Sequence, residues 1–487
     1  MKKQYITDIT GYLTIFFLLT AVPLYLHDSY FDLVSAKAAV LHIVLFISVL
    51  LSSISLFINR KKEKLEKSDI FLFSFALLSL ISSLLSYSFP DSFIGSKGWG
   101  IGSMVISLSS LIILSFKDRS LDLDKILFPY SFLQIFLFGI LILHAADIDV
   151  FSLHEYISSA QYYSYYSLLG NTNWINAYLC LLIPVFLLKY TGSSKYSVLY
   201  FIVLCFLIPS SILINCDSFY AGALFFLMIT VPHFLKHSSE LKRAAPLISV
   251  YGISLLLVRL LPMHILLNGV TRFLTEGIIP YLMIMIGLLL YWLCSRYSLS
   301  QKEITIVTVI FEGVFILLAI FVFLRLYQAS AGYDYYFGNN RLRIWKETLF
   351  AYKNYLSPLQ KLFGVGPEMQ APWYGNLSQE LIVPILSTHS EILQVLFTMG
   401  ITGLILYLLL IGGLFSSSLR SSCSETFLYI SSFAMYLGQS LFNSPEPLGI
   451  SLLAAVLSLW RMSVQKKDCH EDSLSNNGPR SSRVSMR

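Results

Sequence analysis

Long apolar runs separated by short polar breaks make up most of the chain. The runs fall near residues 9–26, 36–58, 69–87, 99–116, 126–143, 174–188, 197–214, 220–235, 246–261, 278–294, 304–326, 393–415, 426–441 and 448–460. Most approach the ~20 residues that a helix needs to span a bilayer core of ~30 Å. Strands of a membrane barrel would instead show short segments of alternating polarity. A helix satisfies its own backbone hydrogen bonds in lipid, so continuous apolar runs of this length predict helices. The expected fold is all-α, a polytopic transmembrane bundle of about 12–14 helices. The lower count applies if the short pair joined by INCDSF, or the last pair joined by NSPEP, forms a re-entrant hairpin.

The polar breaks set the direction of the threading. RKKEKLEK at 60–67, KDRSLDLDK at 117–125, KHSSELKR at 236–243 and the C-terminal tail all fall on the side of Met1. Cytoplasmic loops carry an excess of Lys and Arg, so both termini are expected in the cytoplasm. The first run follows a basic leader and lacks a small-residue cleavage site, which predicts an uncleaved span rather than a signal peptide. One break is much longer than the rest. It divides the chain into an N-terminal transmembrane bundle (1–326), a large extracytoplasmic loop (327–392), C-terminal transmembrane helices (393–460) and a polar tail (461–487) expected to be disordered. A second external segment, 144–173, is rich in aromatics suited to the membrane interface.

Composition agrees with this reading. Of 487 residues 56% are hydrophobic and 13% charged, and the mean hydropathy is +0.69. Soluble enzymes, secreted disulfide scaffolds and disordered chains are thereby excluded. The net charge of +6 is spread over short loops, so it points to membrane topology and not to nucleic acid. Six cysteines show neither a CxxC pair nor metal-ligand spacing and are expected to be reduced. No metal and no cofactor are expected.

The long loop holds the candidate chemistry. Arg341, Arg343, Trp345 and Lys346 begin an amphipathic helix whose apolar residues Ile344, Leu349 and Phe350 are expected to press on the membrane or the bundle. Such cations suit phosphate or pyrophosphate, because a guanidinium presents a fixed fork of donors. Lipid headgroups and snorkelling explain the same charges. In GVGPEM, Gly364 and Gly366 serve either a tight turn or close approach to a ligand. His389, in THSEILQ, titrates near neutrality and is a candidate general base, though histidines at helix starts also serve as caps. Gln394, or a carboxylate from another loop, is the candidate to orient its ring.

These motifs come in a recognisable order: R-x-R-x-x-W, then G-x-G-P-E, then H-S-x-x-L-Q followed by G-I-x-G-L running into a span. With the upstream GNTNWINAYLCL, they resemble the O-antigen ligase and polymerase superfamily of bacterial membrane glycosyltransferases, over roughly 165–460. The resemblance implies a multi-pass protein of the cytoplasmic (inner) membrane that works on its outer face. The donor is a polyprenyl-pyrophosphate-linked glycan, and the acceptor is a sugar or a lipid-anchored hydroxyl. The reaction is a metal-independent, inverting transfer. Carried over, His389 acts on the acceptor hydroxyl and Arg341 or Arg343 holds the donor pyrophosphate. The substrate-binding set on this reading is Lys346, Trp345, Glu368, Trp373, Gln394 and Arg272, with Trp373 and Tyr374 stacking on sugar faces.

The chain departs from the family at one place. Where many members carry an arginine in a middle hairpin, CDSFYAG has Phe219, and Arg259 or Arg272 is the candidate replacement. Polymerase and ligase remain open, since they differ only in acceptor. The rival from another class is a flippase or exporter of lipid-linked glycans, for which Glu312 is the main intramembrane ionisable candidate.

Overall fold

The computed structural model describes residues 2–59, 65–117, 119–192, 194–297, 300–331, 340–376, 387–421 and 423–465. Among these, in chain order, are helices α1 (Lys2–Leu24), α2 (Leu33–Asn59), α3 (Lys67–Leu84), α4 (Phe89–Ile94), α5 (Ser103–Ser115), α6 (Leu123–Ala145), α7 (Thr172–Thr191), α8 (Ser197–Leu213), α9 (Asp217–Lys236) and α10 (Ser238–Val258). There follow α11 (Gly269–Thr275), α12 (Ile279–Arg296), α13 (Gln301–Ala331), α14 (Arg341–Asn354), α15 (Pro358–Phe363), α16 (Gln370–Asn376), α17 (Glu391–Arg420), α18 (Ser424–Ser440) and α19 (Pro447–Gln465). The only strands described, β1 (Tyr165–Tyr166) and β2 (Gly170–Asn171), pair as a two-residue antiparallel ribbon before α7.

Every one of the fourteen apolar runs is a helix, and among the described residues ten helices are long and apolar enough to cross a membrane. The protein is an all-α multi-pass bundle. α9 and α19, with 20 and 19 residues, are among the ten, so neither is the half-length piece that a re-entrant hairpin requires. α7 and α19 are the most deeply buried spans and α12 the least. A helix that is apolar all round and packed on every side belongs at the centre of such a bundle.

Buried charges gather at the helix ends, where each finds a specific partner. At the Met1 end, Arg119 Nη1 donates to Thr7 O at 3.0 Å. At the same end Arg461 Nη2 reaches Asp69 Oδ2 at 2.8 Å and its Nη1 reaches Glu66 Oε1 at 3.2 Å. At the opposite end the buried Lys37 donates from Nζ to Val22 O at 2.8 Å and Tyr25 O at 3.1 Å, closing the carbonyl end of α1. A cation there answers both the unpaired carbonyls and the helix dipole.

The Arg461 pair also corrects the expected start of the tail. α19 continues to Gln465, so residues 461–465 belong to the bundle, while 466–487 lie outside the described residues. The parts of the long loop at 332–339 and 377–386 also lie outside them.

Removing one member of a buried ion pair leaves the other uncompensated, at a cost of about 3–5 kcal/mol. Arg461→Ala is therefore expected to lower the thermal midpoint of the purified protein markedly. Asp69→Leu combined with Arg461→Met should recover most of the loss. An unchanged midpoint for Arg461→Ala would exclude the pair as a structural clasp.

Candidate functional site

The site is built on a break in α17. Gly400 lies inside this helix with φ 71°, so the intrahelical ladder is interrupted there. The carbonyls just before the break are taken up by the loop that follows α15. Val365 N donates to Phe397 O at 3.2 Å, Gly366 N to Thr398 O at 2.9 Å, and Ser82 Oγ to Thr398 O at 2.7 Å. Both sides of this contact need glycine. Gly364 has φ 79°, and a Cβ on it would lie 2.1 Å from Thr398 backbone atoms; one on Gly400 would lie 2.2 Å from Leu362 O. The turn of GVGPEM thus meets the backbone of α17.

α14 supplies the cation. Arg341 and Trp345 are four residues apart and share a face. Arg341 Nη2 donates to Asn443 Oδ1 at 3.2 Å, and Trp345 Nε1 donates to Thr388 O at 3.1 Å. Asn443, just past α18, is the end of a polar network. Its Nδ2 donates to Gln439 Oε1 and to Ser218 Oγ, each at 2.8 Å, and Asn176 Nδ2 donates to the same Ser218 Oγ at 2.8 Å. Arg341 is thereby braced by α7, α9 and α18.

His389 sits on the short strap that Trp345 holds, with φ 47° and its amide on Ser387 Oγ at 3.3 Å. Burial first, and the charge of Arg341 second, lower its pKa to about 4. The ring is therefore neutral at physiological pH, as a proton acceptor must be. Of nine described non-glycine residues with positive φ, Asn340, Glu368 and His389 fall around this site. Strained backbone concentrates where geometry serves a function.

Next to the strap begins a cleft walled by α3, α5, α17, α18 and α19. Its head holds Glu368, Glu391 and Gln394, while its depth is lined by residues such as Phe75, Ile106, Met399, Leu414 and Leu457. Glu368 Oε2 accepts from Trp99 N at 2.6 Å and its Oε1 faces Gln394 Nε2 at 3.5 Å. Burial raises the Glu368 pKa to about 7, against the hydrogen bond from Trp99. Glu391 Oε2 accepts from Tyr436 OH at 3.1 Å.

The predicted residues therefore separate. Arg341, Trp345 and His389 come together, and Glu368 and Gln394 meet at the cleft head. Gln394 is turned to Glu368, so it does not orient the His389 ring. Arg343, two residues from Arg341, points to another side of α14 and pairs with Glu347 at 2.9 Å. Lys346 is half-buried on the same helix. Leu349 and Phe350 are exposed, Ile344 packs on the loop's apolar core, and α14 also buries Leu342, Thr348 and Ala351. Trp373 packs edge-on against Phe397 at 5.1 Å, and the buried Tyr374 stacks on Phe397 at 5.1 Å. These rings build the loop's own apolar core, which removes Tyr374 as a sugar platform.

Neither replacement cation stands free. Arg272 pairs with Glu276 at 2.7 Å on α11, and Arg259 donates to Thr275 O and Gly277 O at 2.6 and 3.0 Å. Phe219 is buried in the main core. The sequence reading missed Asn443, Ser218, Gln439 and Asn176; polar residues at span ends in GNTNWIN and FNSPEP were the available signal.

A second cluster lies beyond α6, where ring and carboxylate atoms of His144, Asp149 and His154 all fall within 4.8 Å of one another. Ser167 N donates to His144 Nδ1 at 3.1 Å, so the neutral ring carries its proton on Nε2, the atom that faces Asp149 Oδ1 at 3.4 Å. A protonated nitrogen does not ligate a metal, and the cluster reads as a clasp of the 144–173 segment.

No known family profile, characterised protein or solved structure matches the chain.

Alanine at Gly364 or Gly400 is expected to cost about 1–3 kcal/mol from backbone conformation alone, with the steric overlap added. Gly412, with nothing within 4 Å of an added Cβ, is the control and should tolerate alanine. Thermal unfolding of the three variants checks this, and equal stability of all three would exclude the interlock.

Proposed function

We propose that the protein transfers glycan from a polyprenyl-pyrophosphate-linked donor to an acceptor hydroxyl, on the outer face of the cytoplasmic membrane with both termini inside. The observation that carries this reading is the pairing of a braced Arg341 with a neutral His389 beside the head of a long apolar cleft. A polar head with an apolar depth suits a lipid chain attached to a phosphate.

The acceptor oxygen attacks the anomeric carbon and its proton passes to His389. The bond from that carbon to the pyrophosphate oxygen breaks, and the configuration inverts. Charge grows on the leaving pyrophosphate, so a cation already held in place lowers the barrier more than a mobile one. Bound pyrophosphate also offsets the Arg341 charge that weakens His389 as a base. Donor binding thus prepares the base for the acceptor. Arg343, engaged by Glu347, is a poorer choice for the pyrophosphate.

The exporter reading is less well served. A path for sugar needs polar lining through the membrane, whereas the depth of the cleft is apolar and Glu312 is exposed on the outside of α13.

His389→Ala should reduce transfer by about 10²–10⁴-fold and Arg341→Ala by about 10²–10³-fold, with Arg343→Ala milder than either. Glycan size profiles and extracted lipid-linked species from cells carrying each variant test this. Accumulated single repeat units mark a polymerase, and long lipid-linked chains that reach no acceptor mark a ligase. A normal profile for His389→Ala beside a defective deletion strain would return the exporter reading to first place.

The acid limb provides a separate check. His389 is an effective base only when unprotonated, so kcat/KM should fall as pH drops towards about 4. Half-loss near the ordinary histidine value of about 6.5 would exclude the neutral buried ring.

A further inference from the structure

We propose that the cleft gauges the isoprenoid chain of the donor: it holds the stretch next to the pyrophosphate, and the pair of Arg461 and Asp69 closes it below. The inference rests on the transfer reading above and adds to it which part of the lipid is recognised and where recognition stops.

A small chamber lies at the deep end of the cleft. Leu72, Ile113, Leu410, Leu414 and Leu457 line both spaces, so the two are continuous. The rest of the chamber is of another kind, with Ser68, Asp69, Trp460 and Arg461, all buried. Arg461 Nη2 is tied to Asp69 Oδ2 at 2.8 Å, and Trp460 Nε1 donates to Ser418 Oγ at 2.8 Å. These bonds join α3, α17 and α19 across the bottom of the cleft.

Ser68 Oγ and Arg461 Nε are buried without a hydrogen-bond partner. A hydrocarbon end pressed on them would leave both unmet, whereas a small polar occupant such as one water answers them. The floor therefore refuses hydrocarbon, while the five side chains above it accept it. Ile450 lines the cleft and Arg461 its floor. They are eleven residues apart on α19, about 16 Å at 1.5 Å per residue. That is close to half of a ~30 Å hydrocarbon core. A full polyprenyl chain is longer, so only the units beside the pyrophosphate find walls, and the surplus turns out into the bilayer.

The test measures binding of geranyl, farnesyl, geranylgeranyl and undecaprenyl phosphates to the full-length protein in nanodiscs by native mass spectrometry. Affinity should rise at least about tenfold from geranyl to geranylgeranyl phosphate, as more hydrocarbon is buried, and then level off. Leu457→Trp, which fills the cleft above the floor, should bring the plateau down to farnesyl phosphate. If that variant does not fold, a diazirine at the far end of geranylgeranyl phosphate should label the unaltered protein around Leu414 and Leu457. Affinity that keeps rising as steeply up to undecaprenyl phosphate, an unchanged series in folded Leu457→Trp, or labelling away from the floor would each overturn the gauge. Tighter binding of straight-chain hexadecyl phosphate than of geranylgeranyl phosphate would also overturn it and make a membrane acyl chain the occupant. None of these readouts needs transfer. A plateau beside normal glycans in His389→Ala cells would leave the gauge standing and sink the transferase, and the reverse pair of results would sink the gauge alone.

Discussion

The backbone contact between the Gly364–Gly366 turn and the break at Gly400 is the constraint on which the site depends. A helix interrupted inside a membrane protein leaves carbonyls that no water can reach, and each unmet group costs about 1–3 kcal/mol. Here the missing donors come from Val365 N and Gly366 N, with Ser82 Oγ on Thr398 O. The loop is thereby fixed to α17 by main-chain bonds. Everything that follows inherits that placement: Glu368 lands against Trp99 and Gln394, and the start of α17 holds Glu391 in the cleft.

From that fixed frame the electrostatics follow. Desolvation acts on His389 and Glu368 in opposite directions but towards the same state, taking the imidazole down to about 4 and the carboxyl up to about 7. Near neutrality the ring is uncharged and the acid holds much of its proton. A fixed guanidinium then stands beside a ring that burial has disarmed. On the proposed function, an arriving pyrophosphate would meet the attraction of Arg341 next to a neutral imidazole. The i, i+4 relation of Arg341 and Trp345 matters for the same reason, since one face of α14 both presents the cation and grips the strap bearing His389.

The helices were legible in the sequence because lipid imposes one rule on every span: an apolar run must be a helix, and its length is set by the bilayer. All fourteen runs follow it. The site was only partly legible. Arg341 and His389 stand out because charged or titratable residues are scarce in such a chain. Asn443, Ser218 and Asn176 do not, since their role arises from three helix ends meeting, and no local spacing records that meeting. The opposite error befell Tyr374, beside the half-buried Trp373. An aromatic pair in an external loop reads equally as a sugar platform or as a small core, and here Phe397 from α17 supplies the third ring that makes it a core. Gly364 and Gly400 show the same limit. Each is ordinary as a turn or helix glycine, and only the backbone of the facing segment, Thr398 and Met399 against Gly364 and Leu362 and Phe363 against Gly400, explains both.

Polarity within the membrane separates the rival readings more sharply than the number of helices does. Moving a glycan across a bilayer requires polar groups at every depth, because sugar hydroxyls stripped of water need partners throughout the passage. In this bundle the charged residues with identified partners sit at helix ends: Lys37 at one, Arg119 and Arg461 at the other. Between them the cleft offers mostly aliphatic and aromatic walls, with Ser109, Ser110, Thr398 and Tyr407 as its interior polar lining. Such a space shelters a hydrocarbon chain and leaves its polar head where the chain enters. Glu312 is not among the residues lining this cleft and is exposed on α13. On the proposed function, the arrangement would keep chemistry at one end of the bundle, where the lipid stays in its own phase and only the bond at its head needs to be reached.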